Sequence, residues 1–382
     1  MLRIIVSGMI ASDPFQGGAT WAVLQYLLGF RQLGHQVYFI EPVQLSRLTP
    51  TGCPLGLSTT AAYFREVAVD FGLDHSAALL DEESQETTGL SYRQLVEIAA
   101  SSDILINISG MLQDQELLER IPIRAYLDLD PAFIQLWHHV QKVDMRFAGH
   151  THFVTIGQNI GTPKCDIPTC GLTWIKTLQP VILDFWPVMN DSTPPAFTTI
   201  GNWRGYGSID HAGKFYGQKA HSWRNLFPLP GRTSAAFMPA LAIHPDETKD
   251  LAALEANGWK IQPPELVART PQTYQQFVQQ SWAELGIAKS GYVVSHCGWF
   301  SDRSACYLAS GRPVLAQETG FSDFLPSTEG IIAFSDVDGA RLGAESLLAN
   351  YAVHARAARA IAEEFFDSNR VLPQLLSKLV AT

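Results

Sequence analysis

GYVVSHCGWFSDRSACYLASGRPVLAQETG, residues 291–320, reads as strand, tight loop, helix, turn and strand. The apolar run Tyr292-Val293-Val294-Ser295 suits a buried parallel strand, and His296-Cys297-Gly298-Trp299-Phe300 is the loop that follows it. Ser301 is placed to cap a helix whose apolar positions Ala305, Leu308 and Ala309 fall at i, i+3 and i+4. Gly311 ends that helix, Pro313 blocks its continuation, and Val314-Leu315-Ala316 is the next strand. A parallel strand feeding a polar helix start leaves unpaired N–H groups and the positive end of the helix dipole facing a crevice, which is a place to hold phosphate. Taken alone, the same pattern describes one βα unit of an ordinary doubly wound sheet.

The whole chain has 382 residues, 46% of them hydrophobic and 17% charged, enough for two domains with separate cores. No apolar run approaches the ~20 residues that span a bilayer. Met1-Leu2-Arg3 leads into a strand and not into a signal peptide. The five cysteines are an odd number, and Cys165 and Cys170 lack CxxC spacing, so reduced thiols and a cytoplasmic location are expected. A net charge of −10 argues against nucleic acid as the main partner and leaves room for one local basic pocket. Pro187, Pro194 and Pro195 interrupt regular structure between Phe185 and Pro195, the best place for a boundary.

In the first half, Leu2–Val6 is a strand, Gln16-Gly17-Gly18-Ala19-Thr20 opens a helix that ends at Gly34, and His35–Glu41 is a second strand. Gly17-Gly18 allows close backbone approach to a ligand. Gly8 and Gly17 lie too far apart for a dinucleotide fingerprint. Strands at Ile104–Asn107, Arg124–Leu127 and Phe153–Ile156 follow, and the second of these delivers Asp128 and Asp130 to the crevice edge. Asp130 before Pro131 is equally a helix cap, and Asp13 before Pro14 equally a turn residue. His138 and His139 are adjacent on a helix and cannot share one ligand face. In the second half, Phe197–Ile200 and Ala236–Ile243 are strands, Tyr274–Leu285 is a helix, and Arg204 and Lys219 are either ligand cations or solvated charges.

Two sets of residues carry a family resemblance. His296-Cys297-Gly298-Trp299, then Ser301, Gly311 and Pro313, resemble the nucleotide-sugar stretch of GT-B glycosyltransferases, with HCGW similar to the start of the plant-type UDP-sugar signature. LASGRPVLAQETGF…LPSTEGIIAF and the opening GG…LxxLGHxVxFI are similar to family 4, the glycogen-synthase-like glycosyltransferases. Where that family usually carries a Glu-x7-Glu pair, this chain has Gly298 and Cys306.

The resemblance implies an α/β GT-B fold, two Rossmann-like doubly wound domains facing a central cleft. Residues 1–185 would form the acceptor domain, 186–195 the linker, 196–351 the nucleotide-sugar domain, and 352–382 helices crossing back to the first domain. It implies metal-independent sugar transfer from a nucleotide diphosphate-sugar, a substrate and not a cofactor, to a hydroxyl of a small-molecule or glycan acceptor. Gly17 and Gly18 would face the cleft, Arg204 and Lys219 would neutralise the diphosphate, and His296, Ser301, Asp302 and Arg303 would meet it at the helix start. The Thr319-Gly320 amides would hold sugar hydroxyls, with Asp13 as base and Asp128 as the alternative. The DLD run at 128–130 resembles a metal-binding DxD, but GT-B enzymes generally need no such metal. An epimerase or phosphorylase of the same fold, or a non-catalytic nucleotide-sugar-binding protein, would use the same cleft.

Overall fold

The computed structural model describes residues 1–189 and 194–381; residues 190–193, within the expected linker, lie outside the described residues. Two sheets organise the chain. The first is built from β1 (Arg3–Ser7), β2 (Gln36–Val43), β3 (Ala77–Asp81), β4 (Thr87–Gly89), β5 (Ile104–Ile108), β6 (Ile123–Asp128), β7 (His152–Thr155) and β8 (Trp174–Lys176). Its order is β4-β3-β2-β1-β5-β6-β7-β8, parallel except for β4, which runs antiparallel to β3. Ile4, Ile5 and Val6 on β1 and Ile104, Leu105 and Ile106 on β5 are buried, as continuous apolar runs in a sheet covered on both faces must be.

The second half carries β9 (Ala196–Asn202), a small hairpin of β10 (Ile209–His211) and β11 (Lys214–Tyr216), then β12 (Ala236–Ala242), β13 (Ala283–Gly286), β14 (Val314–Gln317) and β15 (Ile331–Phe334). Its main sheet has the parallel order β12-β9-β13-β14-β15. Strand order reverses beside β1 in the first sheet and beside β9 in the second, and such reversal points open a crevice at the carboxyl ends of the strands.

One segment differs from its sequence reading. The strand expected at 292–295 is the helix Ser290–Ser295, and the strand stands earlier, at Ala283–Gly286, where a helix was expected to continue; that helix ends at Gln280. A buried pair distant in sequence accompanies this difference. Glu284, which looks like a surface position of an amphipathic helix, is completely buried and paired with Arg303. Val293 and Val294, which looked like strand interior, are only half-buried on the short helix.

After β15 the helix Val337–Ile361 breaks at Asn350 (φ −132°, ψ 34°) and continues through a wider turn, Ala362–Phe366, into the helix Ser368–Val380. Asp367 caps that last helix, accepting from the Asn369 amide. The segment packs on the first half. The Val181 N–H donates to the Phe366 carbonyl (2.6 Å), the Ser368 N–H donates to the Val181 carbonyl (2.9 Å), and Leu372 fills the space beside Gly29. One apolar cluster therefore runs from Leu27 and Phe30 through Tyr274 to Leu372 and Leu375. Among the described residues, no helix is long and apolar enough to cross a membrane.

Candidate functional site

Two adjoining cavities lie between the carboxyl edges of the sheets. One, of about 290 Å³, is bounded by Gln25 and Tyr26 of the helix Gly17–Gln32, by Ser109, Asp130 and Ile156 in the turns after β5, β6 and β7, and by Lys219, Lys289, Tyr292 and Ser301–Arg303 of the second half. The other, of about 300 Å³, runs from Phe15, Gln16 and Gly18 to Ile200–Asn202 and Pro264-Glu265. Tyr274, Asp302 and Arg303 line both.

Arg303 sits in the first turn of the helix Asp302–Ala309 and is pinned from below. Its Nε donates to Glu284 Oε1 (2.6 Å) on β13 and its Nη1 to the Ile200 carbonyl (2.7 Å) at the end of β9. Nη2 is buried without a partner, as is Glu284 Oε2. Burial works against the guanidinium charge, but Glu284 outweighs it and holds the pKa above its ordinary value. Lys219 opens the helix Lys219–Arg224, and its ammonium lies over Gly201 at 2.6 Å from where a Cβ would stand. Burial, then the neighbouring Arg303 charge, pushes the Lys219 pKa far down. A negative charge brought here would be stabilised by Arg303 and would favour the ammonium form of Lys219.

Across the gap, Asp130 accepts from Lys289 (3.0 Å), from the Tyr206 hydroxyl (2.6 Å) and from the Tyr292 hydroxyl. The Lys289 ammonium lies 4.1 Å from the Tyr206 ring centroid and 5.1 Å from that of Phe133. Burial lowers its pKa while Asp130 opposes the shift. Asp130 is thus a bridge between the halves and not a cap: the helix after it begins at Phe133, behind Ala132 with φ +73°. Lys289, Tyr206 and Tyr292 were missed by sequence reasoning. The available signal was Lys289 standing three residues before Tyr292, which puts both on one face if that stretch is helical.

Several expected site residues fall elsewhere. Asp128 is fully buried and turned inward, its oxygens accepting from the Asp130 N–H (2.9 Å), Gln135 Nε2 (2.8 Å) and Thr155 Oγ1 (2.8 Å); burial pushes its pKa up to about 7. It shapes the turn that presents Asp130. Arg204 is exposed and paired with Glu247, as a solvated charge would be. His296 is exposed in the left-handed region (φ +48°); its N–H donates to the Val293 carbonyl (3.3 Å) and its carbonyl accepts from Asn159 Nδ2 (3.0 Å). The Thr319 and Gly320 amides both donate to Glu318 Oε1 (3.0 and 2.6 Å), so they are occupied within the chain. The Gly17 amide donates to the Ala268 carbonyl (2.8 Å); this glycine lets the two halves touch and does not admit a ligand.

Gly18, Ser301, Asp302, Arg303 and Lys219 do border the cavities. Ser301 is the N-cap residue but makes no side-chain bond to the helix amides. Asp13 is exposed in the loop after β1 and borders a third cavity, which shares no residue with the other two. Its loop is fixed by buried Glu41, which accepts from the Ala11 N–H (2.9 Å), the Ser12 N–H (2.6 Å) and Ser12 Oγ (2.6 Å). Among the described residues, no group of three or more His, Cys, Asp or Glu is placed to hold a metal ion.

No protein-family model and no curated protein matches the sequence. Solved structures do resemble the chain over its whole length. An alpha-glucosyltransferase (AGT) in complex with UDP is 12% identical over 100% of both chains, with a TM-score of 0.63. HepE from Anabaena, in complex with UDP and glucose, is 10% identical over 100% of both chains, with a TM-score of 0.60. A glycosyltransferase from Rickettsia africae is 11% identical over 99% of this chain and 98% of that one, with a TM-score of 0.54. At these identities the likeness is one of fold, and it is the α/β GT-B fold, with parallel sheets whose carboxyl edges face a shared cleft.

Proposed function

We propose that the chain transfers a sugar from a nucleoside diphosphate-sugar, UDP being the first nucleotide to test, to a hydroxyl acceptor without a metal ion. The observation that carries this reading is the unpartnered Nη2 of buried Arg303 beside the Lys219 ammonium, at the start of a helix. A leaving nucleoside diphosphate gains negative charge as the bond from its phosphate oxygen to the anomeric carbon breaks, and fixed cations in a water-poor cleft stabilise that charge. In this reading the diphosphate meets Arg303, Lys219 and the Ser301–Asp302 turn, and the nucleoside enters the cavity bordered by Phe15 and Pro264. Asp130, in place of Asp128, is the carboxylate that borders the cavity, held there by Tyr206, Lys289 and Tyr292, and Asp13 stands on the acceptor side. Other solved structures of the alpha-glucosyltransferase contain DNA; a net charge of −10 favours a small-molecule or glycan acceptor here.

Thermal unfolding with UDP, GDP, UDP-glucose and GDP-mannose tests the reading, because a ligand that binds only the folded chain raises Tm. At least one of the four is expected to do so, with the gain diminished in Lys219→Met. No shift with any of them would sink the proposal. A second reading, binding without catalysis, is favoured by Cys306, which stands in place of a glutamate and faces Gln25 at 3.7 Å. It predicts the same Tm gain with neither transfer nor hydrolysis.

A further inference from the structure

The third cavity, of about 310 Å³, lies at the carboxyl edge of the first sheet, between the loops after β1, β2, β3 and β5. That is the edge at which open α/β sheets receive ligands, and the volume matches a small ligand pocket, about 300 Å³ or more. Met9, Val43, Leu48 and Met111 supply apolar surface, while Asp13, Arg47 and Arg146 supply charge. Arg146 lies close enough to Glu82 to favour its carboxylate but forms no ion pair with it among the described residues. Arg47 forms no ion pair among the described residues, and the Arg146 guanidinium has one long contact, 3.4 Å to the Met111 carbonyl. Glu82, the other acid there, is committed to the Gln113 and Asp114 amides (2.6 and 2.8 Å). The loop carrying Asp13 is held by Glu41, while Arg47 and Arg146 are exposed at the mouth of the space.

We infer that this cavity is the acceptor subsite for a small hydroxylated compound carrying a carboxylate or phosphate. Arg47 and Arg146 pair with its anion and Asp13 accepts from one of its hydroxyls. Phe15, two residues beyond Asp13, borders the nucleoside cavity, so one loop touches both ligands. The assignment of an acceptor role rests on the glycosyltransferase reading; the anion site does not.

The test is isothermal titration of the full chain, saturated with UDP, with glucuronate, glucose 6-phosphate and glucose. At least one acid should bind at millimolar concentration and glucose at least about tenfold more weakly, since charge-assisted guanidinium pairs carry the difference. The stronger acid identifies the anion. Arg47→Ala and Arg146→Ala should each weaken it by about tenfold while leaving UDP binding at the wild-type level. Equal binding of glucose, no binding of either acid, or unchanged acid affinity in the double variant would overturn the inference. Failure of the wild-type chain to bind UDP would instead count against the function proposed above, and the acid titrations, repeated without UDP, would still decide this one.

Discussion

The two walls of the cleft differ in what they need from each other. The second-half wall brings Lys219, Lys289 and Arg303 with one acid, Asp302, whereas the first-half residues bordering the same cavity include one acid, Asp130, and no basic residue. Arg303 is oriented entirely within its own half, by Glu284 and the Ile200 carbonyl. Asp130 finds its side-chain partners across the gap, in Tyr206, Lys289 and Tyr292. A site meant to receive a multiply charged group gains from cations fixed beforehand, because no reorganisation is then required on binding. A carboxylate satisfied only across the gap ties the position of its wall to the other.

The largest test of this asymmetry is a pair of substitutions. Arg303→Met leaves Glu284 buried without a counter-charge and should cost roughly 3–5 kcal/mol in denaturant unfolding. Asp130→Asn keeps an acceptor for the tyrosines and takes the counter-charge only from Lys289, which is partly exposed, so it should cost about 1–2 kcal/mol. Equal losses would show that both walls depend on the gap alike.

The next effect compares the two acids at the exit of β6. Asp128 has a folded pKa of about 7, raised by burial from an ordinary 3.8. The folded chain therefore holds this proton more tightly than the unfolded chain does. Its contribution is most favourable below pH 4, declines between about pH 4 and 7, and is level above, each tenfold difference in proton affinity being worth about 1.4 kcal/mol. Subtracting the stability profile of Asp128→Asn from that of the wild type should leave a decline confined to that window. A flat difference would mean that Asp128 is ionised at its ordinary pKa.

The smallest effect concerns Ser301. Because its hydroxyl bonds no helix amide, Ser301→Ala should cost a few tenths of a kcal/mol, below the ~1 of a working cap. Any larger loss in UDP affinity would then report contact with the ligand, and a full cap-sized loss of stability would contradict the geometry.

Elements set by local chemistry were readable from the chain: the apolar runs of β1, β5 and β6 and the Gly311–Pro313 stop before β14. What escaped depends on residues far away. Glu284 reads as surface until Arg303 is known to lie over it, and strand and helix stand exchanged across 283–295. The partners of Asp130 stand 76, 159 and 162 residues along the chain, beyond any periodicity. The cavity-lining glycine, serine and lysine were legible as types of residue suited to a phosphate site. Which amides and charges were already spent inside the chain, as at Gly17, Thr319 and Arg204, was not.

The helix Ser368–Val380 bears on how the molecule is made. Leu372, Leu375 and Leu379 complete an apolar surface that includes Phe30 of the first half, yet they leave the ribosome hundreds of residues later. The nascent first half therefore waits with the groove beside Gly29 uncovered throughout synthesis of the second. A chain truncated before Ser368 would carry both sheets and nevertheless bare that groove, an adhesive surface for chaperones and for other unfinished copies.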